Sequence, residues 1–277
     1  MDASFPSLAN AHVSNRTATV EQYRVFADQL GTSRGVIVQP SLYGTNNGCT
    51  LKALSRFEGR VRAIIVIDET ASSLDLARWN ETGIRGIRFN QVQAGATTMS
   101  MMKPLADRIA ELGWHVQLHM RAHDLMGFED LLNSLPTDLV LDHVGRVKLP
   151  QFEPDPGWRV ILRLLNKGRT WIKLSGPYHE DRASGPGYAN AVAIGRRLVE
   201  ISEDRLVFGS DWPHVTETAA PAAKDVSAYL MARATTDTRL RCWYIEIAWV
   251  LVPLAPLPRD AWKTGAVAAG ALAMPAT

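Results

Sequence analysis

Seven short runs rich in β-branched residues recur along the chain, and each closes on polar side chains: GVIVQP from Gly35, RAIIVID from Arg62, IRGIRFN from Ile84, WHVQLHM from Trp114, DLVLDHVG from Asp138, TWIKLSG from Thr170 and RLVFGSD from Arg205. They are too short for helices and too uniformly apolar for half-exposed antiparallel strands, so they read as parallel strands buried on both faces. Amphipathic segments fall between them. Residues 19–30, TVEQYRVFADQL, carry a threonine cap, a glutamine three residues later and Gly31 just beyond, a capping box closed by a glycine stop. Residues 104–112 end at Gly113 in the same way, and AVAIGRRLVEIS precedes the last strand. Alternating strand and helix means successive βαβ units, in either a doubly wound sheet or an eight-stranded barrel. No G-x-G-x-x-G follows a strand, which counts against a nucleotide-binding sheet.

The polar strand ends carry the functional signal. They are Gln39 with Ser41, Asp68, Arg88 with Asn90, Gln117 with His119, Asp142 with His143, Lys173 with Ser175, and Asp211. In parallel strands all carboxyl ends lie on one side, so these groups converge on the rim where barrel enzymes place their chemistry. Taken alone, Asp211 could cap a helix or start a turn, and a lone histidine is usually a satisfied core residue. Two histidines, His119 and His143, on neighbouring strand ends with a carboxylate two strands further round point instead to a site. Arg88 sits near the end of a buried strand, an expensive place for a charge without a partner, and both Arg88 and Arg146 offer forked donors suited to a carboxylate. Tyr43 and Tyr178 fit either packing or substrate contact at the barrel mouth. His115 starts its strand and reads as structural, while His123 and His179 fall in loops past strand ends.

Composition bounds the alternatives. The 277 residues suit one α/β barrel of roughly 250 residues. A net charge of +2, with no basic run interleaved with aromatics, gives no nucleic-acid footprint. Cys49 and Cys242 lie far apart and form no metal-binding spacing, which makes a reducing cytoplasm the expected compartment. The amino terminus has no basic-then-apolar leader pattern. The run CWYIEIAWVLVPLAP is broken by Glu246 and prolines and falls short of the roughly 20 residues a membrane span needs. The expected partner is a small molecule.

The motifs RGVIVQPSLYGTNN, GIRGIRFN, QLHM, LDHVGR, WIKLSGPY and RLVFGSDWPH, in this order over roughly residues 16–216, resemble the amidohydrolase-related family of TIM-barrel hydrolases. Within it they are most similar to the branch of 2-pyrone-4,6-dicarboxylate lactonases. The resemblance implies a (β/α)8 barrel that hydrolyses a cyclic ester or amide, often one bearing carboxylates. It implies Asp211 as the residue that activates water and His143 with His119 as groups polarising the scissile carbonyl. Arg88 and Arg146 would clamp substrate carboxylates, with Ser41, Tyr43, Tyr178 and His214 lining the pocket. The lactonase branch implies no cofactor; the wider superfamily implies a divalent metal, zinc or manganese, and leaves metal dependence open.

The chain departs from the family pattern at both ends. The family's first strand ends in H-x-H, which this sequence lacks; His12 stands alone in NAHV. The expectation is therefore an incomplete barrel, strand 1 missing, with strands 2 to 8 of the family in residues 1–220 and an atypical tail in residues 221–277. A helix around DVSAYLMARA and an alanine-glycine run, GAVAAGALAMPAT, make up that tail. Three readings follow: a lactonase-like hydrolase, a metal-dependent amidohydrolase or decarboxylase, and a truncated, inactive barrel.

Overall fold

The computed structural model describes residues 1–9, 11, 17–30, 32, 34–93, 95–184 and 188–216. Every one of the seven apolar runs forms a strand: β1 (Gly35–Val38), β2 (Val61–Ile65), β3 (Ile84–Asn90), β4 (His115–His119), β5 (Leu139–Leu141), β6 (Thr170–Leu174) and β7 (Leu206–Phe208). The α-helices are α1 (Val20–Leu30), α2 (Gly48–Ser55), α3 (Ser73–Thr82), α4 (Met99–Ala110), α5 (Ala122–Leu125), α6 (Glu129–Asn133), α7 (Pro156–Asn166) and α8 (Ala189–Ser202).

The strands form one parallel sheet in the order β1-β2-β3-β4-β5-β6-β7. A doubly wound sheet reverses its strand order at a switch point. Here each strand adds to the same edge, which removes that alternative. β2, β4 and β5 are buried at every position, whereas β1, which among the described residues pairs only with β2, is half-buried throughout.

The two faces of the sheet differ in chemistry because side chains alternate along a strand. One set, including Ala63, Ile65, Val116, Leu118, Leu141 and Ile172, packs with helix residues Met102, Leu105, Ile109, Ile161, Leu164 and Leu198 into one continuous core. Each fully buried valine, leucine, isoleucine or methionine of this core stabilises the fold by about 1.5–3 kcal/mol. The alternate set carries the polar groups: Gln117 and His119, Asp142, Lys173 and Ser175. A small apolar cluster of Val140, Trp171 and Val207 lies beneath them.

Local signals explain the helix ends. The capping box before α1 is present in both directions: Thr19 N–H donates to Gln22 Oε1 at 2.8 Å and Gln22 N–H donates to Thr19 Oγ1 at 3.2 Å. Gly31, the expected stop, lies outside the described residues. α4 begins at Met99, five residues before the proline that the sequence suggested as its start, and Pro104 sits inside it. Met99 and Met102 are buried at helical spacing with Leu105, Ala106 and Ile109, so burial extends the helix through its proline. The expected tail, residues 221–277 with the DVSAYLMARA helix, and His12 lie outside the described residues. Among the described residues no helix is long and apolar enough to cross a membrane.

Candidate active site

A cavity of about 360 Å³ runs along the sheet from the carboxyl ends of the strands to residues at their amino ends, among them Gly35, Arg62 and His115. Ser41, Tyr43, Arg88, His119, His143 and Asp211 line it, six of the nine side chains expected to form the site. The other three stand behind these. Arg146 contacts His119, Tyr178 contacts Asp211, and His214 Nδ1 lies 3.2 Å from the Tyr178 hydroxyl. Asp68, although at a strand end, caps its own turn by accepting a hydrogen bond from Thr70 N–H at 2.9 Å.

Asp211 is the hub of one wall. Its Oδ2 accepts a hydrogen bond from the Tyr178 hydroxyl and lies 3.3 Å from His179 Nε2, while Oδ1 lies 3.9 Å from His143 Nε2. Ser175 Oγ holds the far side of His143 at Nδ1, 2.9 Å away. The rings of His143 and His179 meet edge to face with centroids 4.5 Å apart, and His119 stands 4.8 Å from His143. Gly176 permits this crowding. Its φ is +53°, and a Cβ there would fall 2.5 Å from His179 Cδ2 and 2.8 Å from His143 Nδ1. His179, which the sequence placed only in a loop, thus joins the site; the glycine of LSGPY was the available signal.

The backbone at these positions is strained. His143, Arg146, Asp211 and His214 all have positive φ, between 51° and 57°. Non-glycine residues in the left-handed region cluster at functional sites because the surrounding structure must hold them there.

Burial sets the charge states. It lowers the pKa of His143 to about 4 against the opposing pull of Asp211 and Asp142, and lowers His119 well below its ordinary value. Both imidazoles are therefore neutral at pH 7. Arg146 fixes the tautomer of His119: its NH1 meets His119 Nε2 at 2.9 Å, and since arginine can only donate, Nε2 accepts and Nδ1 carries the proton. The same guanidinium is neutralised by Glu180, with Nε and NH2 each 2.7 Å from Oε1. For Asp211, burial pushes the pKa up, but the charge of His143, the His179 contact and the Tyr178 hydroxyl outweigh it and hold the carboxyl well below the usual range.

A second group of charges centres on Asp142, which is fully buried. Lys173 Nζ lies 2.7 Å from its Oδ1, Gln117 Nε2 donates to Oδ2 at 3.1 Å, and Arg88 Nε stands 3.5 Å from Oδ2. Burial would raise the Asp142 pKa, but Lys173, His143 and Arg88 hold it below the carboxylate range. Arg88 also reaches Ser41 Oγ at 3.2 Å, and Asn90 donates to the same oxygen at 2.6 Å. The Tyr43 hydroxyl exchanges hydrogen bonds with the main chain of Asp2, at 3.0 and 3.1 Å. His115 lies deeper on the same sheet face, lining the cavity with its pKa lowered by burial to about 4, and His123 is exposed.

His143, His179 and Asp211 could also hold a divalent ion, because one ligand atom from each lies within 4.8 Å of the others. Two imidazole nitrogens and a carboxylate oxygen form a donor set suited to zinc.

A family profile described as amidohydrolase matches residues 1–244. The 2-pyrone-4,6-dicarbaxylate hydrolase of Comamonas testosteroni is 30% identical over 221 residues, which are 76% of this chain and 72% of that protein. The 4-sulfomuconolactone hydrolase of Rhizobium radiobacter is 31% identical over 217 residues, with the same shares of the two chains. The crystal structure of a probable 2-pyrone-4,6-dicarboxylic acid hydrolase from Acinetobacter baumannii, with citric acid bound, superposes with a TM-score of 0.78 at 27% identity, covering 90% of this chain and 94% of that one.

Proposed function

The chain belongs to the amidohydrolase family, and from that premise we propose that it is a lactonase-like hydrolase, opening the ring of a small carboxylated lactone by adding water. The observation that carries this reading is Asp211, an ionised carboxylate set among His143, His179 and Tyr178 at a cavity that Arg88 also lines. The two relatives whose names specify lactone substrates, a pyrone dicarboxylate and a sulfomuconolactone, support the substrate class. The seven sequentially ordered parallel strands are seven positions of a (β/α)8 barrel on this reading, which the shared fold with the A. baumannii enzyme supports.

Asp211 takes a proton from water as the oxygen attacks the lactone carbonyl. Asp211 is ionised at pH 7, its carboxyl held well below the usual range, and so stands ready to receive the proton as water loses it. Negative charge then develops on the carbonyl oxygen, where the imidazole of His143 stabilises it, with the ring of His119 packed 4.8 Å away. Collapse breaks the ring C–O bond, and the proton held at Asp211 passes to the departing oxygen, giving a free hydroxyl or its tautomer and a carboxylic acid that ionises by releasing water's second proton to solvent. Arg88 binds a substrate carboxylate, Ser41 orients Arg88, and Arg146 keeps His119 in one tautomer.

A second reading rests on the His143, His179 and Asp211 group. Those three residues would hold a divalent ion, which when bound supplies Lewis-acid polarisation of the carbonyl.

Hydrolysis of 2-pyrone-4,6-dicarboxylate, followed by loss of its ring absorbance with and without chelator, tests both. Turnover that persists in chelator and falls by about 10²–10⁴ in Asp211→Asn supports the metal-free lactonase. Turnover lost on chelation and restored by zinc or manganese supports the second reading. Hydrolysis unchanged in Asp211→Asn removes Asp211 from the mechanism.

A further inference from the structure

Lys173 sits on β6 two residues before Ser175, so the pleat directs it to the same cavity face. Its side chain and that of Arg88 remain 15% and 11% exposed, whereas Asp142, between them, is 1% exposed. Two cations thus front a cavity with one carboxylate buried behind them, which leaves this wall one positive charge in excess.

Neither cation is fully spent. Lys173 Nζ pairs with Asp142 Oδ1 at 2.7 Å, and an ammonium carries three donors. Among the described residues, Arg88 Nε, 3.5 Å from Asp142 Oδ2, has no hydrogen-bond acceptor. A buried excess charge with unused donors is costly until an anion completes it. Asp211 is engaged by Tyr178 and faces His179 and His143. Glu180 is taken by Arg146.

The neighbouring strand end is shaped around the lysine. Gly209, just past β7, has Lys173 lying across it: a Cβ there would fall 2.8 Å from Lys173 Cδ, 3.1 Å from Cγ and 2.9 Å from Ser175 Cβ. Glycine at 209 therefore leaves the lysine stem a fixed track along the cavity wall.

We propose that Lys173 is a specificity-determining residue which, with Arg88 and under the hold of Asp142, forms a two-cation receptor for one carboxylate of the substrate, while Gly209 sets the path of the lysine stem. The inference rests on the lactonase reading for the identity of the ring, but the receptor itself requires only a carboxylated ligand. It orients that ligand: its carboxylate lies against the Arg88 and Lys173 wall, and its scissile carbonyl faces His143 and Asp211.

Two measurements separate this inference from the lactonase reading. The first is the KM and kcat of Lys173→Met on 2-pyrone-4,6-dicarboxylate and on its neutral dimethyl ester. The second is calorimetric binding of benzene-1,3-dicarboxylate, which cannot be hydrolysed. A rise in KM of about tenfold or more for the dicarboxylate, with the ester unchanged, is expected from loss of a charge-assisted contact. Binding of the benzene dicarboxylate should weaken by the same factor. Equal effects on the acid and the ester, or unaltered binding, overturn the proposal. If the wild type hydrolyses no lactone but binds the benzene dicarboxylate through Lys173, the lactonase reading fails and the receptor stands. Should Lys173→Met not fold for want of the ammonium 2.7 Å from Asp142, the double variant Lys173→Met with Asp142→Asn removes that ion pair and must show the same loss. Gly209→Ala, which keeps every charge and displaces the stem, is expected to raise KM for the acid alone; identical constants to wild type overturn the role of the track.

Discussion

The Tyr178 hydroxyl donates a hydrogen bond to Oδ2 of Asp211, the same oxygen that faces His179 Nε2 at 3.3 Å. Tyr178 itself does not line the cavity; it acts through the carboxylate in front of it. A donor to an ionised carboxylate favours the charged form, so Tyr178→Phe raises the Asp211 pKa toward its ordinary value. Activity that needs ionised Asp211 then loses its acid side at a higher pH. A fall in kcat of about ten- to a hundredfold is expected from loss of one charge-assisted bond, with the acid limb of the kcat profile moved upward. An acid limb left where it was would show that the hydroxyl does not set the state of Asp211.

Arg146 makes a different prediction from a carboxylate clamp. Its guanidinium is engaged by Glu180 and by His119 Nε2, at 2.7 and 2.9 Å. Arg146→Met removes the donor that keeps the proton on His119 Nδ1 and leaves Glu180 without its cation. The expected result is a lower kcat with KM for a carboxylated substrate nearly unchanged, and a mixed-tautomer pattern in the nitrogen NMR shifts of His119. A rise in KM with kcat and tautomer preserved would return Arg146 to the clamp.

The sequence made the sheet legible because strands buried on both faces advertise themselves as unbroken apolar runs, and all seven are strands. The convergence of Ser41, Arg88, His119, His143 and Asp211 was legible for the same reason, since parallel strands put all their carboxyl ends on one side. Two kinds of information were hidden. Depth was one: Tyr178 and His214 lie one layer behind the cavity, and nothing in a linear pattern distinguishes a residue that lines a space from one that braces it. The other was the geometry of loops, which brought His179 beside Asp211 through the left-handed turn at Gly176. The start of α4 was missed because a proline normally opens a helix, whereas here buried methionines one turn earlier carry it through.

Stability should fall steeply on mild acidification. Burial is the largest cause of the lowered pKa of His115 and His143, both taken from 6.5 to about 4. Below pH 6.5 the unfolded chain binds these two protons while the folded chain refuses them until about pH 4, so each proton favours unfolding. The contribution is fully present above pH 6.5 and is lost as pH falls through that window, at roughly 1.4 kcal/mol per proton per pH unit where the difference is complete. Denaturant titrations between pH 7 and 4 should show this slope, and His115→Gln should lower it by about one proton. A slope unchanged by that substitution would mean His115 titrates normally in the folded state.

The close approach of α7 to α5 gives the last prediction. Asp155 caps α7 by accepting from Gly157 N–H at 2.7 Å, and Pro156 occupies the first turn, where its missing N–H costs nothing. Gly157 then passes so near α5 that a Cβ would stand 2.2 Å from both the carbonyl carbon and oxygen of Ala122. These are backbone atoms and cannot swing aside, so Gly157→Ala must separate the two helices, although alanine is the better helix former by about 1 kcal/mol. Overpacking of this kind typically costs about 1–3 kcal/mol, and Trp158 and Ile161 on the same helix are buried in the core that would shift. Chemical denaturation of the variant should show a lower midpoint with an unchanged slope. A midpoint at or above that of the wild type would mean that α7 can move off α5 without loss, and that the sequence Asp155-Pro156-Gly157 serves only to start the helix.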